Sequence, residues 1–143
     1  MDAPVVPHPT SPDMMRIETR RGPRTKGAQT EFTVLTKFRG YTLLQCRPLT
    51  GRKHQVRLHL RHVHLPILGD PLYRGGKLLL SEIKRKFRPR TDREERPLIS
   101  TVAMHVEQLV LPHPVTGETL TIKAPWPKDL EVAVKYLKMF AGL

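Results

Sequence analysis

Between Arg52 and His64 the chain gathers side chains that can handle charge: Arg52, Lys53, His54, Gln55, Arg57, His59, Arg61, His62 and His64. A guanidinium in this run can clamp a carboxylate through two hydrogen bonds and hold it ionised, or simply pair with any acidic neighbour or lie in solvent. Arg52, Lys53, His54 and Gln55 open a predicted helix, where free backbone donors and the positive end of the dipole favour phosphate. The same side chains would also serve as a solvated helix face, with stems packed and heads in water. The histidines at 54, 59, 62 and 64 raise the question of zinc, which needs three or four ligands with cysteine or carboxylate support. Their neighbours are Arg, Lys and Leu, whose charge repels a cation, so packing or phosphate contact is expected and no metal is assigned.

Other reactive types are scattered. The five aspartates are Asp2, Asp13, Asp70, Asp92 and Asp129, and Asp70 sits in a Gly-Asp-Pro turn. Cys46 lies in an apolar, strand-like run and reads as a small packed hydrophobe. His105, inside an apolar stretch, reads as a hydrogen-bonded structural histidine. Gly75-Gly76-Lys77 lacks the rest of a phosphate-binding loop and is taken as a turn. Tyr41, Tyr73 and Trp126 can stack on bases but stand in apolar runs and turns, where packing is expected.

These residues must be positioned by a chain of 143 residues, the length of one domain with one core. Lys and Arg outnumber Asp and Glu 25 to 13, a formal charge of +12. Such an excess attracts phosphates and releases their counterions, which points to a polyanionic partner; a basic surface kept for solubility is the bland alternative. No apolar stretch approaches the roughly 20 residues that cross a bilayer, no segment joins a long basic face to a broad apolar one, and the first residues lack a signal-peptide pattern. A lone cysteine fits a reducing compartment, and a cytoplasmic protein is expected.

Residues 1–27 carry prolines at 4, 7, 9, 12 and 23 and the cations Arg16, Arg20, Arg21, Arg24 and Lys26, and read as a basic tail or loop. From Thr30 to Leu49 two strands flank a turn at Phe38-Arg39-Gly40. Val56, Leu60 and Val63 have the spacing of one helix face, so a helix is expected from Arg52 to about Val63, stopped by Pro66. Leu78 to Phe87 suggests a short basic helix, Arg88 to Pro97 a polar loop, and Leu98 to Leu111 with Glu118 to Lys123 a second hairpin. Pro127 opens a last helix with Leu130, Val134, Leu137 and Ala141 on one stripe. The expected architecture is α+β, with an antiparallel or mixed sheet built from hairpins and covered by helices.

The run Leu49-Thr50-Gly51-Arg52-Lys53-His54-Gln55-Val56-Arg57-Leu58-His59-Leu60 closely resembles the signature of RluA-type pseudouridine synthases. Further elements of that family follow in order. Leu65-Pro66-Ile67-Leu68-Gly69-Asp70-Pro71-Leu72-Tyr73 is similar to its His-Pro-Ile-x-Gly-Asp-Pro-Leu-Tyr element, with Leu65 in place of the usual histidine. Met104-His105-Val106, His113-Pro114-Val115-Thr116-Gly117-Glu118 and Ala124-Pro125-Trp126-Pro127-Lys128-Asp129-Leu130 resemble three later ones, and Lys26-Gly27-Ala28-Gln29-Thr30 an earlier one. The family's His-Arg-Leu-Asp element, which holds its catalytic aspartate, and its ring-stacking tyrosine element do not occur in these residues.

The resemblance implies that residues 28–143 form the C-terminal half of a pseudouridine synthase catalytic domain, a partial version of that fold. It implies isomerisation of uridine in ribosomal or transfer RNA, without metal or cofactor, once an aspartate is supplied by a missing half; alone the chain would be inactive. Arg57 then stands where the family places the cation that supports that aspartate. Arg52, Lys53, His54, Gln55 and Lys26 would contact RNA. The missing N-terminal half and self-association are the other expected partners. Two alternatives stay open: a non-catalytic RNA-binding module, perhaps in ribosome assembly, and a DNA-binding domain, which explains the charge but not the ordered motifs.

Overall fold

The computed structural model describes residues 1–20, 22 and 25–143. Its elements run β1 (Val5–Pro7), β2 (Met15–Ile17), β3 (Thr30–Phe38), β4 (Tyr41–Pro48), α1 (Gln55–His62), α2 (Leu80–Ile83), β5 (Gln108–Pro112), β6 (Thr119–Lys123) and α3 (Lys128–Phe140). The fold is α+β: among the described residues the strands form three antiparallel pairs, β1 with β2, β3 with β4 and β5 with β6.

Three expectations need correction. The first stretch is not a tail: Val5 pairs with Ile17 and Pro7 with Met15, while Ala3 and Val5 are buried. The Met1 ammonium donates to the Thr30 carbonyl at 2.8 Å, and the Ala3 amide donates to the Ala28 carbonyl at 3.0 Å. Pro4, Pro9 and Pro12 flank the strands, where no ladder donor is needed. Arg21, Pro23 and Arg24 lie outside the described residues.

Secondly, α1 begins at Gln55, so Arg52 and Lys53 precede the helix. The Gln55 side chain takes the Arg52 amide at 3.1 Å and closes a turn there, and His54 has left-handed geometry (φ 56°). Thirdly, β5 starts only at Gln108. Residues 98–107 make single backbone bonds instead of a ladder, Leu98 to the Leu78 carbonyl and Ala103 to the Leu68 carbonyl, both at 2.8 Å.

Apolar burial divides into two clusters, where the chain length alone suggests one core. Phe38, Leu78, Ile83 and Ile99 pack with Ala133, Val134 and Leu137 of α3, whose buried residues share one helical stripe as expected. Val5, Ala28, Leu58 and Tyr73 form the other, which joins β1, α1 and the loop after it. That second cluster supports the basic run. The β5–β6 hairpin contributes to neither: Leu109, Val110 and Ile122 are each about half exposed.

Candidate functional site

Arg57 projects from the first turn of α1 onto the loop that carries Asp70. Its Nε donates to Asp70 Oδ2 at 2.8 Å and its Nη2 to Asp70 Oδ1 at 2.7 Å, a two-bond ion pair along one edge of the guanidinium. Asp70 is wholly buried, whereas the Arg57 side chain keeps 15% of its surface exposed. Oδ1 also accepts the amides of Leu72 at 3.1 Å and Tyr73 at 3.2 Å, which is how an aspartate fixes the turn that follows it. Burial alone would push the Asp70 carboxyl up, but the Arg57 guanidinium and those two amides hold it below the usual carboxylate range. The Asp70 hydrogen bonds in turn raise the Arg57 pKa. Among the described residues, Nη1 of Arg57 has no hydrogen-bond partner.

Tyr73 forms the floor. Its ring centroid lies 5.0 Å from the Arg57 Cζ, and the side chain is 1% exposed. The Tyr73 hydroxyl accepts the Met15 amide at 2.9 Å and bonds His54 Nδ1, also at 2.9 Å. Burial, followed by the nearby Arg57 and Lys53 charges, lowers the His54 pKa, so the imidazole faces this bond neutral. Neither Asp70 nor Tyr73 is among the site residues expected from the sequence. The available signal was the Asp-Pro-Leu-Tyr spacing, which predicts a capped turn but not its contact with α1.

The expected phosphate contacts separate into two groups. Lys26 and Lys53 are exposed, and Arg52 is partly so. The Arg52 Nε donates to the Gly27 carbonyl at 3.3 Å, which brings the loop before β3 beside the start of α1. Gln55 differs, being 3% exposed. Its Nε2 donates to the Gln29 carbonyl at 2.8 Å and to Thr30 Oγ1 at 3.0 Å, and its Oε1 accepts from Thr50 Oγ1 at 2.8 Å. Every polar atom of Gln55 is spent on the scaffold, so it joins β3 to α1 and offers nothing to a phosphate.

His59 is likewise a scaffold residue. It is fully buried, with Nε2 2.8 Å from the Ala3 carbonyl and Nδ1 2.9 Å from Thr30 Oγ1. A carbonyl can only accept, so Nε2 carries the proton and Nδ1 accepts from the Thr30 hydroxyl. Burial lowers the His59 pKa and keeps the ring neutral. His62 and His64 are exposed, and among the described residues no three metal-ligating side chains converge. His105 lies before β5, with Nε2 3.2 Å from the Ala124 carbonyl. Cys46 is half-buried in β4, and burial raises its thiol pKa.

The sequence pattern of the family described as RNA pseudouridylate synthase matches residues 2–62, which include Lys26, Arg52, Lys53, His54, Gln55 and Arg57. A ribosomal large subunit pseudouridine synthase D of Xanthomonas campestris pv. campestris is 39% identical over 137 residues, which cover 96% of this chain and 39% of that protein. The proteins of the same name from Haemophilus ducreyi and Escherichia coli are 34% and 32% identical over 145 residues, each match covering 96% of this chain and 40% of the relative. The chain thus spans about two-fifths of the length of these relatives. Their matches extend beyond residue 62 and so take in the segment of Asp70 and Tyr73.

Proposed function

The chain belongs to the RluA-type RNA pseudouridine synthases, and from that premise we propose that it is the RNA-gripping half of a uridine-to-pseudouridine isomerase acting on ribosomal RNA in the cytoplasm. In that reaction the bond between C1′ and N1 of uridine breaks, the base turns, and C1′ joins C5. The C5 proton leaves and N1 ends with one, so no atom or electron is gained and no cofactor is required.

One observation carries the reading: the guanidinium of Arg57 is half used. Asp70 takes Nε and Nη2 and leaves Nη1 unbonded among the described residues. An arginine offers two forks, one along Nε and Nη and one across its two terminal nitrogens. The first anchors Arg57 over Tyr73. The second is left for another carboxylate, supplied by a His-Arg-Leu-Asp segment that these residues do not contain. Arg57 is then a positioning residue that keeps the incoming aspartate ionised and aimed. Lys26, Arg52 and Lys53 grip the phosphates that flank the uridine, with His54 beside them.

The test is release of tritium from C5-labelled uridine in ribosomal RNA, by the chain alone and after addition of an upstream His-Arg-Leu-Asp segment taken from one of the relatives. No release alone and turnover on complementation is the expected result, with turnover lost again in Arg57→Lys. Turnover by the chain alone would overturn the assignment. RNA binding that never yields turnover would favour a non-catalytic RNA-binding module instead.

A further inference from the structure

Residues 84–96 hold seven cations and three acids, a net excess of four charges and one-third of the chain's +12. They lie beyond the site just described, after α2, whose Ile83 packs in the cluster with α3. All three acids already have partners. Glu95 Oε1 caps the Ser81 amide at 3.0 Å, Glu94 pairs with Lys77 at 3.1 Å, and Asp92 binds Arg90 through two bonds of 3.0 Å. Arg85, Lys86 and Arg88 are exposed and, among the described residues, carry no ion pair.

The turn that presents them is anchored. The Phe87 amide donates to the Lys84 carbonyl at 3.1 Å, and Lys86 has left-handed geometry (φ 62°). The Lys84 ammonium lies 5.2 Å from the Phe140 ring centroid and 5.9 Å from that of Phe87. We propose that Arg85, Lys86 and Arg88 form a second RNA contact, a grip on phosphates that sets the orientation of a structured RNA without reading its bases. The choice of RNA as the polyanion rests on the function proposed above. An anionic membrane fits less well, because Phe87, the sole aromatic of the turn, is partly buried beneath Lys84 and no apolar face accompanies the cations.

The experiment measures binding of the whole chain to a fluorescent ribosomal RNA hairpin across a series of salt concentrations. The comparison variant is Arg85→Ser with Lys86→Asn and Arg88→Ser, where Asn suits the left-handed position. Its log–log salt slope should be shallower by about 2 to 3, one counterion-release step for each lost contact. Arg88→Ser alone should change the slope by about 1, and this keeps the test open if the triple variant folds poorly. Neutralising the exposed Lys135 and Lys138 of α3 should leave the slope closer to wild type. An unchanged slope in both turn variants overturns this inference alone, whereas failure of the wild-type chain to bind RNA overturns it together with the RNA-gripping function. Loss of binding to phosphatidylserine vesicles with RNA binding intact would assign the turn to membranes and also overturn it.

Discussion

Arg57 and Asp70 meet through two parallel hydrogen bonds of 2.7 and 2.8 Å, and the carboxylate is sealed from solvent while the guanidinium keeps an open edge. The pair therefore joins a fully buried acceptor to a cation that still reaches solvent. Removal of one partner strands a buried charge, a change worth about 3–5 kcal/mol, whereas the net value of an intact buried pair is far smaller. Arg57→Ala should accordingly lower the urea unfolding free energy by about 3 kcal/mol, because Asp70 would keep its two amide bonds and lose its cation. A loss below about 1 kcal/mol would mean that Asp70 is not held as described. Arg57→Lys keeps the charge but not the fork, so it should retain more stability than Ala.

Two buried groups give the fold a pH dependence of predictable sign. Burial sets the His59 pKa below its ordinary value of 6.5, so the unfolded chain binds the proton first as pH falls. Its contribution is complete above pH 6.5 and is lost as pH drops toward the depressed folded value. Asp70 acts lower down: its contribution is complete above its ordinary 3.8 and is lost as pH falls through its depressed folded pKa. Thermal melts should therefore show a lower midpoint at about pH 5.5 than at about pH 7.5, before carboxylates titrate. His54, whose pKa is also lowered, adds to the same window, so a flat profile would show that neither imidazole is held neutral as described.

Local signals made part of this site legible. The stripe of α3 follows from spacing, and the β3–β4 and β5–β6 hairpins from apolar runs separated by turn residues, although the run before β5 overstates that strand. Arg57 is singled out by the resemblance of residues 49–60 to the family's signature, not by spacing. In the sequence the polar side chain of Gln55 looks like a surface group, and only the fold brings Gln29, Thr30 and Thr50 around it. The first residues looked like a tail since prolines and cations dominate them, and nothing local announces that Ala3 and Val5 will be buried. Asp70 could be read as a turn residue. Its union with Arg57 is a tertiary contact that no pattern within either segment encodes.

The loop that offers Asp70 has a sharp steric requirement. A Cβ on Gly75 would run into the Ile67 carbonyl oxygen and approach the Asp70 amide nitrogen to 2.6 Å. Both neighbours are backbone, and the Gly75 amide already donates to the Asp70 carbonyl at 2.7 Å, so neither can give way cheaply. Gly75→Ala should cost about 2 kcal/mol or more by overpacking. Gly76→Ala meets nothing within 4 Å and should be near neutral. Equal melting temperatures for the two variants would contradict the close approach at Gly75.

The β5–β6 hairpin is held chiefly by its own ladder, since Leu109, Val110 and Ile122 remain about half exposed and belong to neither apolar cluster. Replacing Val110 and Ile122 with Thr keeps β-branching and strand preference and removes apolar atoms that water already reaches. The double variant should therefore stay within about 0.5 kcal/mol of the parent in denaturant unfolding. Leu137→Ala, in the cluster beneath α3 where the side chain is 6% exposed, should cost about 2–5 kcal/mol through lost burial and an unfilled cavity. If the hairpin variant lost as much as Leu137→Ala, its apolar face would have to be covered in solution, and sedimentation across a concentration series would then reveal self-association.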